Sequence, residues 1–328
     1  MSCMKQLGRS LATVAAGAVM LLGTIGAAQA WPDRAITVIV PYPAGGGTDA
    51  VARTVAPILE KQLKQAVNVI NRAGGGGIGG HEAIANAAPD GYTLGFITND
   101  LSSYKWVGVA TISVDDLMPL GQTNEIPASI TVKIDSPYQT LPQLIDAIRA
   151  QPGKLRGTGA APGTSWHMGM LGMLLSLNID VPSVVWVPSQ GGTLGHQDVA
   201  AGGVEFSASS LVEARALIEA KKIRALAYMS DARSELFPEV PTLKEAVNSD
   251  WTFAVMHGFG GPKALPKSVT DVLVPAIKAA HASPEVQGAL KQRGFRAIYR
   301  TPEEHTAVLK KDFEDMGKVL KAAGLAAK

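Results

Sequence analysis

Two glycine-bearing stretches hold the residue types best suited to chemistry. The first is "PYPAGGGTD" (Pro41–Asp49), set between the β-branched run "AITVIV" (Ala35–Val40) and the helical pattern "AVARTVAPILEKQL" (Ala50–Leu63). The second lies inside "LRGTGAAPGTSWHMGMLGMLLSL" (Leu155–Leu177), which repeats the plan of strand, glycine loop and helix. A helix start presents N–H groups without intrahelical partners and a partial positive charge, so both stretches suit an anion. The dipole supplies about 0.3–1 kcal/mol and each charge-assisted hydrogen bond about 1.5–3 kcal/mol, whereas a micromolar ligand needs about 8 kcal/mol. One loop falls short of that after ordering costs. Two loops facing one cleft suffice for a small anion held between domains. Thr48 or Asp49 is expected to cap the first helix, and Ser165 either caps the second or offers its hydroxyl to a ligand. Tyr42 either stacks on that ligand or packs as an ordinary aromatic.

Other chemistry finds less support. "GGGTDA" (Gly45–Ala50) lacks the GK[ST] ending of a P-loop. "GGGIGG" (Gly75–Gly80) fits G-x-G-x-x-G, and Asp100 lies near the distance expected of a ribose-binding acid. Asn71-Arg72-Ala73 intervene before the glycines, and the next helix is short, so a structural turn and no cofactor are expected. There is no G-x-S-x-G elbow and no H-E-x-x-H. Ser165 and His167 stand two apart and share no helix face, which argues against a local nucleophile–base relay. The 6 histidines show no metal-ligand spacing. His196 and Asp198 read as solvated helix residues, and Asp115-Asp116 as a turn or a cap.

The elements that must position the loops alternate. "AITVIV", "VNVIN" (Val67–Asn71) and "YTLGFIT" (Tyr92–Thr98) are strands joined by helices, the second being "HEAIANAA" (His81–Ala88). This βαβαβ run predicts a parallel sheet with right-handed crossovers. A second unit begins near Ile130 with the strand "SITVKI" and the helix "TLPQLIDAIRAQ" opened by Thr140. Strands "SVVWV" (Ser183–Val187), "VEFSAS" (Val204–Ser209) and "IRALAYM" (Ile223–Met229) follow, with the helix "VEARALIEA" (Val212–Ala220) among them. Beyond Asp250, "WTFAVMHGFGGP" is a strand and turn, and helices are predicted at Lys267–Ala282 and Pro302–Ala323 around "FRAIYR" (Phe295–Arg300).

A chain of 328 residues is long enough for two α/β domains, and 46% hydrophobic residues fill sizeable cores. The beginning reads as a signal peptide: Lys5 and Arg9, an apolar stretch Leu11–Ala28, then the small-x-small "AQA" (Ala28–Ala30) and polar "WPDR". An uncleaved membrane anchor is the rival reading. Two of the 30 basic residues lie in this leader, so the remaining 28 balance the 28 acidic ones. That balance offers no nucleic-acid footprint and no polybasic membrane patch. The single cysteine, Cys3, leaves with the leader, so neither a disulfide framework nor a cysteine metal site is expected. The mature protein is expected to be soluble and exported.

"WPDRAITVIVPYPAGGGTDAVAR", "VNVINRAGGGGIGG" and "APDGYTLGFIT", followed by "GTGAAPGTSWHMGML", "EVPTLKEA" and "HGFGGPKALP", resemble the substrate-binding receptors of tripartite tricarboxylate transporters, the Bug family. The resemblance spans essentially the whole mature chain. It implies an α/β, two-domain periplasmic-binding-protein (Venus-flytrap) fold with the ligand cleft between domains. The first domain would comprise residues 31–130 plus 251–328 and the second 131–250, after a signal peptide of residues 1–30 cleaved after Ala30. The implied function is periplasmic: capture of a small carboxylate-bearing ligand and delivery to membrane permease subunits, by a monomer without catalysis, cofactor, metal or nucleic acid. In the family the two glycine loops grip a carboxylate. Carried over, the binding positions are Tyr42, Ala44, Gly45, Gly46, Thr48 and Asp49 in the first loop. In the second they are Gly159, Ala160, Gly163, Thr164, Ser165 and His167, with Thr98, Asn99, Ser207 and Ser209 at the distal end. Where the family commonly has Pro-Tyr-Lys-Gly this chain has "PSQG" (Pro188–Gly191), and Asp100 either faces an amine or hydroxyl of the ligand or caps a loop. The alternatives are an exported α/β hydrolase-like enzyme acting on a carboxylate or phosphate ester, and a receptor that feeds a signalling sensor.

Overall fold

The computed structural model describes residues 31–327; the expected signal peptide, residues 1–30, and Cys3 lie outside the described residues. Strand β1 (Ile36–Val40) is a run of β-branched residues, buried at nearly every position, as a central parallel strand requires. It is flanked in parallel by β2 (Val67–Asn71) and β3 (Thr93–Thr98). Helix α1 (Gly47–Leu63) follows β1 and buries Val51, Val55, Ile58, Leu59 and Leu63 on the sheet, a spacing of three and four residues. It ends at Lys64 in the left-handed conformation. Helix α2 (Ile78–Ala85) joins β2 to β3 and lies tight against the backbone. A Cβ at Gly80 would overlap Pro41 and stand 2.9 Å from the Arg72 carbonyl oxygen, so only glycine lets this helix approach β1 so closely.

The 17-residue strand β4 (Leu117–Lys133) organises the rest. Its first part, Leu117 to Pro127, pairs antiparallel with β9 (Ala254–Pro262), which in turn pairs with β3. From Ala128 to Val132 it changes partner and pairs antiparallel with β7 (Phe206–Ser210). On its other side β10 (Arg296–Arg300) meets the first part and β8 (Ile223–Tyr228) the second. Parallel strands β5 (Leu155–Thr158) and β6 (Val184–Trp186) complete the path beyond β7. Among the described residues, one hydrogen-bonded system of ten strands is therefore ordered β2-β1-β3-β9-β4-β7-β5-β6 with β10 and β8 beside β4. The expectation of a strand at "SITVKI" captures only the second part of β4; Pro119, Gly121 and Pro127 disguise the first.

The intervening helices are α3 (Tyr104–Val107), α4 (Leu141–Ala150), α5 (Ser165–Ser176), α6 (Gly192–Ala201), α7 (Leu211–Glu219) and α8 (Leu243–Val247). Helix α4 starts, as expected, at Thr140, in a capping box closed by Gln143. Helix α5 is buried along almost its whole length, with Met168, Met170, Leu171, Met173 and Leu174 in the core. Helix α9 (Lys267–Ala282) matches the expected span, and α11 (Pro302–Ala322) opens on a capping box of Thr301 and Glu304. Between them α10 (Pro284–Arg293) was not anticipated, although Ser283 as N-cap followed by Pro284 is a strong helix start. Asp116 closes a capping box with Ser113, the second of the two expectations, a turn or a cap, for that acid pair. His196 is not a solvated helix residue: it is fully buried on α6, bonded to Thr131 at 3.0 Å and Ser209 at 2.7 Å, whereas Asp198 is exposed. Among the described residues no helix is long and apolar enough to cross a membrane.

Candidate functional site

The starts of α1 and α5 open on one cavity of about 280 Å³. The first loop contributes Tyr42, Pro43, Ala44, Gly46, Gly47 and Thr48, and the second Ala160, Ala161, Thr164, Ser165 and Trp166. Ser189, Gln190 and Gly191 of the PSQG element, Thr193, Leu194 and Gln197 of α6, and Glu213 of α7 complete the second half. Asp100, Ile126, Val255 and His257 close the other side.

Neither helix start is capped as expected. The N-cap of α1 is Gly46 and makes no side-chain cap bond. Asp49 instead turns back along the loop, where its Oδ2 accepts the Gly45 N–H at 2.9 Å. Its Oδ1 accepts from Asn71 Nδ2 at 2.9 Å and Arg53 Nε at 3.0 Å. Burial alone would raise the Asp49 pKa, but these donors outweigh it and lower the pKa. Asp49 thus stiffens the loop and does not line the cavity, which removes its charge from an anion's path. Thr48 bonds His257 Nε2 at 2.9 Å. Asn124 Nδ2 faces His257 Nδ1 at 3.1 Å and, as an amide NH₂, donates to it. His257 therefore carries its proton on Nε2, donates it to Thr48 Oγ1, and leaves the Thr48 hydroxyl proton free for the cavity. Burial depresses the His257 pKa to about 3, so the ring stays neutral.

Asp100 ties the two sides together. It follows β3 in a single 3-10 turn (Asn99–Ser102), and its Oδ1 accepts the Ser165 N–H at 2.5 Å and the Ser165 hydroxyl. The Tyr42 hydroxyl donates to its Oδ2 and lies 2.7 Å from Thr98 Oγ1. Burial raises the Asp100 pKa against the pull of these hydrogen bonds, and burial together with the Asp100 charge raises that of Tyr42. Loop capping and ligand contact were the two expectations for Asp100; the bonds to Ser165 make it a cap on α5 supplied from the opposite half. Tyr42 likewise lines the cavity while packing edge-on against His81, their centroids 6.3 Å apart.

Of the residues assigned from the sequence, Tyr42, Ala44, Gly46, Thr48, Ala160, Thr164 and Ser165 line the cavity. Asp49, Thr98, Asn99, Gly159, Gly163, His167, Ser207 and Ser209 are buried behind that lining, and Gly45 is exposed on the loop outside it. Gly163 donates its N–H to His167 Nδ1 at 2.9 Å, so His167 shapes the loop. Gly159 lies against the Ala208 carbonyl. Asn99 donates to the Ala254 carbonyl at 3.2 Å and accepts from the Met256 N–H, bracing β9. Ser207 and Ser209 are sealed in β7, 3.1 Å apart through their hydroxyls, with Ser209 on His196. Sequence reasoning passed over Gln190, Gln197, Glu213 and His257. Gln190 lay within the noted PSQG departure; nothing local marks Glu213 or His257, which reach the cavity only through the sheet order.

A mixed sheet shared by two α/β halves, with a small-molecule cavity between two helix starts, defines a periplasmic-binding-protein fold. The chain belongs to the tripartite tricarboxylate transporter receptor family, whose sequence model matches residues 51–325. It is 34% identical over 295 residues to the UPF0065 protein of the tcbD-tcbE intergenic region of Pseudomonas sp. strain P51, covering 89% of this chain and 87% of that one. It is 30% identical to protein BugT of Bordetella pertussis over 308 residues, 90% of this chain and 91% of BugT. The structure of periplasmic binding protein BugD superposes with a TM-score of 0.83 at 25% identity, covering 91% of this chain and 100% of BugD. An R. palustris protein solved with adipate superposes with a TM-score of 0.82 at 25% identity, covering 90% of this chain and 99% of that one.

Proposed function

We propose that this chain is a periplasmic solute receptor that captures a small carboxylate-bearing molecule between two domains and hands it to the permease of a tripartite tricarboxylate-type transporter. The observation that carries this reading is the meeting of two helix starts, Gly46–Thr48 and Thr164–Trp166, around a cavity of about 280 Å³. Backbone N–H groups and the Thr48 hydroxyl supply donors there without a bulky cation. The adipate bound by the R. palustris relative is in keeping with this class of ligand.

In this reading the domains are residues 31–130 plus 251–328 and residues 131–250, and the change of partner of β4 at Ala128 supports a hinge there. Residues 1–30 are removed as a signal peptide, and the mature chain works as a monomer. The protein performs no chemistry on its ligand. Ser165 is engaged by Asp100 and His167 by the Gly163 N–H, so the two do not pair as nucleophile and base. A thermal-shift screen of the mature protein against carboxylates, followed by calorimetry, tests the proposal. A ligand at 100 times its Kd adds about 2.7 kcal/mol of stability. One-to-one binding without turnover is expected; a response to phosphate esters alone, or hydrolysis of an ester, overturns it.

A further inference from the structure

Two carboxylates stand at helix starts in the cavity wall, Asp100 at α5 and Glu213 at α6. Asp100, from the turn after β3, accepts the Ser165 N–H at 2.5 Å and the Ser165 hydroxyl at the start of α5. Glu213, on α7, lines the cavity beside the start of α6, where its Oε2 would overlap a Cβ at Gly192. The Ser210 hydroxyl donates to its Oε2 at 2.8 Å. At the start of α5 a protein acid thus fills a position that suits a ligand's anionic group, while the start of α1 carries no side-chain cap.

Both acids line the cavity, and among the described residues no lysine or arginine does. His257, the one imidazole in the wall, is fixed as a neutral donor to Thr48. The remaining surface joins the apolar Ile126, Trp166, Leu194 and Val255 to the amides of Gln190 and Gln197 and the hydroxyl residues Thr164, Ser189 and Thr193. A dicarboxylate needs two anion positions. Here its second carboxylate would meet two like charges and no cation, in surroundings where charges are weakly screened. A cationic group would meet two carboxylates that hydrogen bonds already hold in place.

We propose that the ligand carries a single carboxylate and, at its far end, a cationic nitrogen that faces Asp100 and Glu213: an amino-carboxylate and not a dicarboxylate. This rests on the carboxylate-receptor reading and narrows it. The ligand's carboxylate takes the Thr48 hydroxyl and the N–H groups of the first turn of α1, and its chain lies along Ile126 and Val255.

Matched compounds separate the two levels of the argument. Calorimetry of the mature protein with adipate, 6-aminohexanoate and hexanoate, and with the corresponding four- and five-carbon sets, varies only the distal group. At the best-fitting length the amino-carboxylate should bind about tenfold or more tighter than the dicarboxylate, with the simple acid between them. Asp100→Asn and Glu213→Gln keep size and shape, and each should shrink that preference, read in the same variant as the ratio of amino-carboxylate to hexanoate affinity. Hexanoate binding also reports that the variants fold. A dicarboxylate that binds tightest, or a preference unmoved in both variants, overturns this inference and leaves the receptor reading intact. Failure of every carboxylate in the screen and in these sets overturns both.

Discussion

Asp312, on α11, is an acid placed where its charge is unwelcome. One of its oxygens, Oδ2, is sealed from solvent without a partner, beneath the turn that carries Asp100. Burial raises its pKa from the ordinary 3.8 to about 7, against the pull of Ser102 and Asn99 and with added repulsion from Asp315 and Asp100. The folded-state value lies above the unfolded one. The proton is therefore favoured by folding, and stability present below about pH 4 is lost as the pH rises to about 7. The whole gap corresponds to about 4 kcal/mol at pH 8, of which about 1.6 kcal/mol is already lost at pH 5. Asp312→Asn keeps the shape and removes the charge, so it should stabilise the protein by up to about 1.5 kcal/mol at pH 5 and up to about 4 kcal/mol at pH 8. Buried histidines tilt the wild-type curve the other way, so the diagnostic quantity is the difference between variant and wild type. Urea denaturation of both proteins from pH 5 to 8 measures it. A difference that stays flat or narrows as the pH rises refutes the reasoning.

Two further changes probe other buried groups. Thr48→Val keeps the side-chain shape but leaves the His257 Nε2–H without an acceptor. It should cost about 1–3 kcal/mol in urea denaturation of the unliganded protein and weaken carboxylate binding in calorimetry; unchanged stability together with unchanged affinity would remove Thr48 from the site. His305 is fully buried with both ring nitrogens unpartnered, and burial depresses its pKa to about 3, with Arg300 adding to the effect. Its folded value lies below the unfolded 6.5, so stability present above about pH 6.5 is lost as the pH falls toward 3. His305→Leu should therefore stabilise the protein increasingly on acidification, by about 1 kcal/mol or more at pH 5, in thermal melts across that range. A variant that melts lower than wild type at pH 5 contradicts this.

What the sequence disclosed depended on whether the signal was local. Strand β1, the glycine loop and α1 were legible because β-branched residues, glycines and a three-four apolar spacing each leave their mark within a few residues. The same holds for Thr140 with Gln143 and for Asp116 with Ser113, where a cap and its partner stand three apart. The first part of β4 was lost because two prolines and a glycine argue locally against a strand whose pairing with β9 comes from more than a hundred residues away. The site divides along the same line. Ala44, Gly46, Thr48, Thr164 and Ser165 belong to loops that announce themselves, and they line the cavity. Asp49 looked like a ligand neighbour or a cap, yet Asn71 and Arg53 draw it aside, and Asn71 sits on another strand. Glu213 belongs to an unremarkable amphipathic helix, and only the run of α7 after β7 brings its carboxylate into the cavity wall. The charge of this site is therefore a tertiary property. Loops legible in the sequence identify a place for an anion, while the acids that decide which anions are tolerated come from residues whose neighbours are set by the sheet.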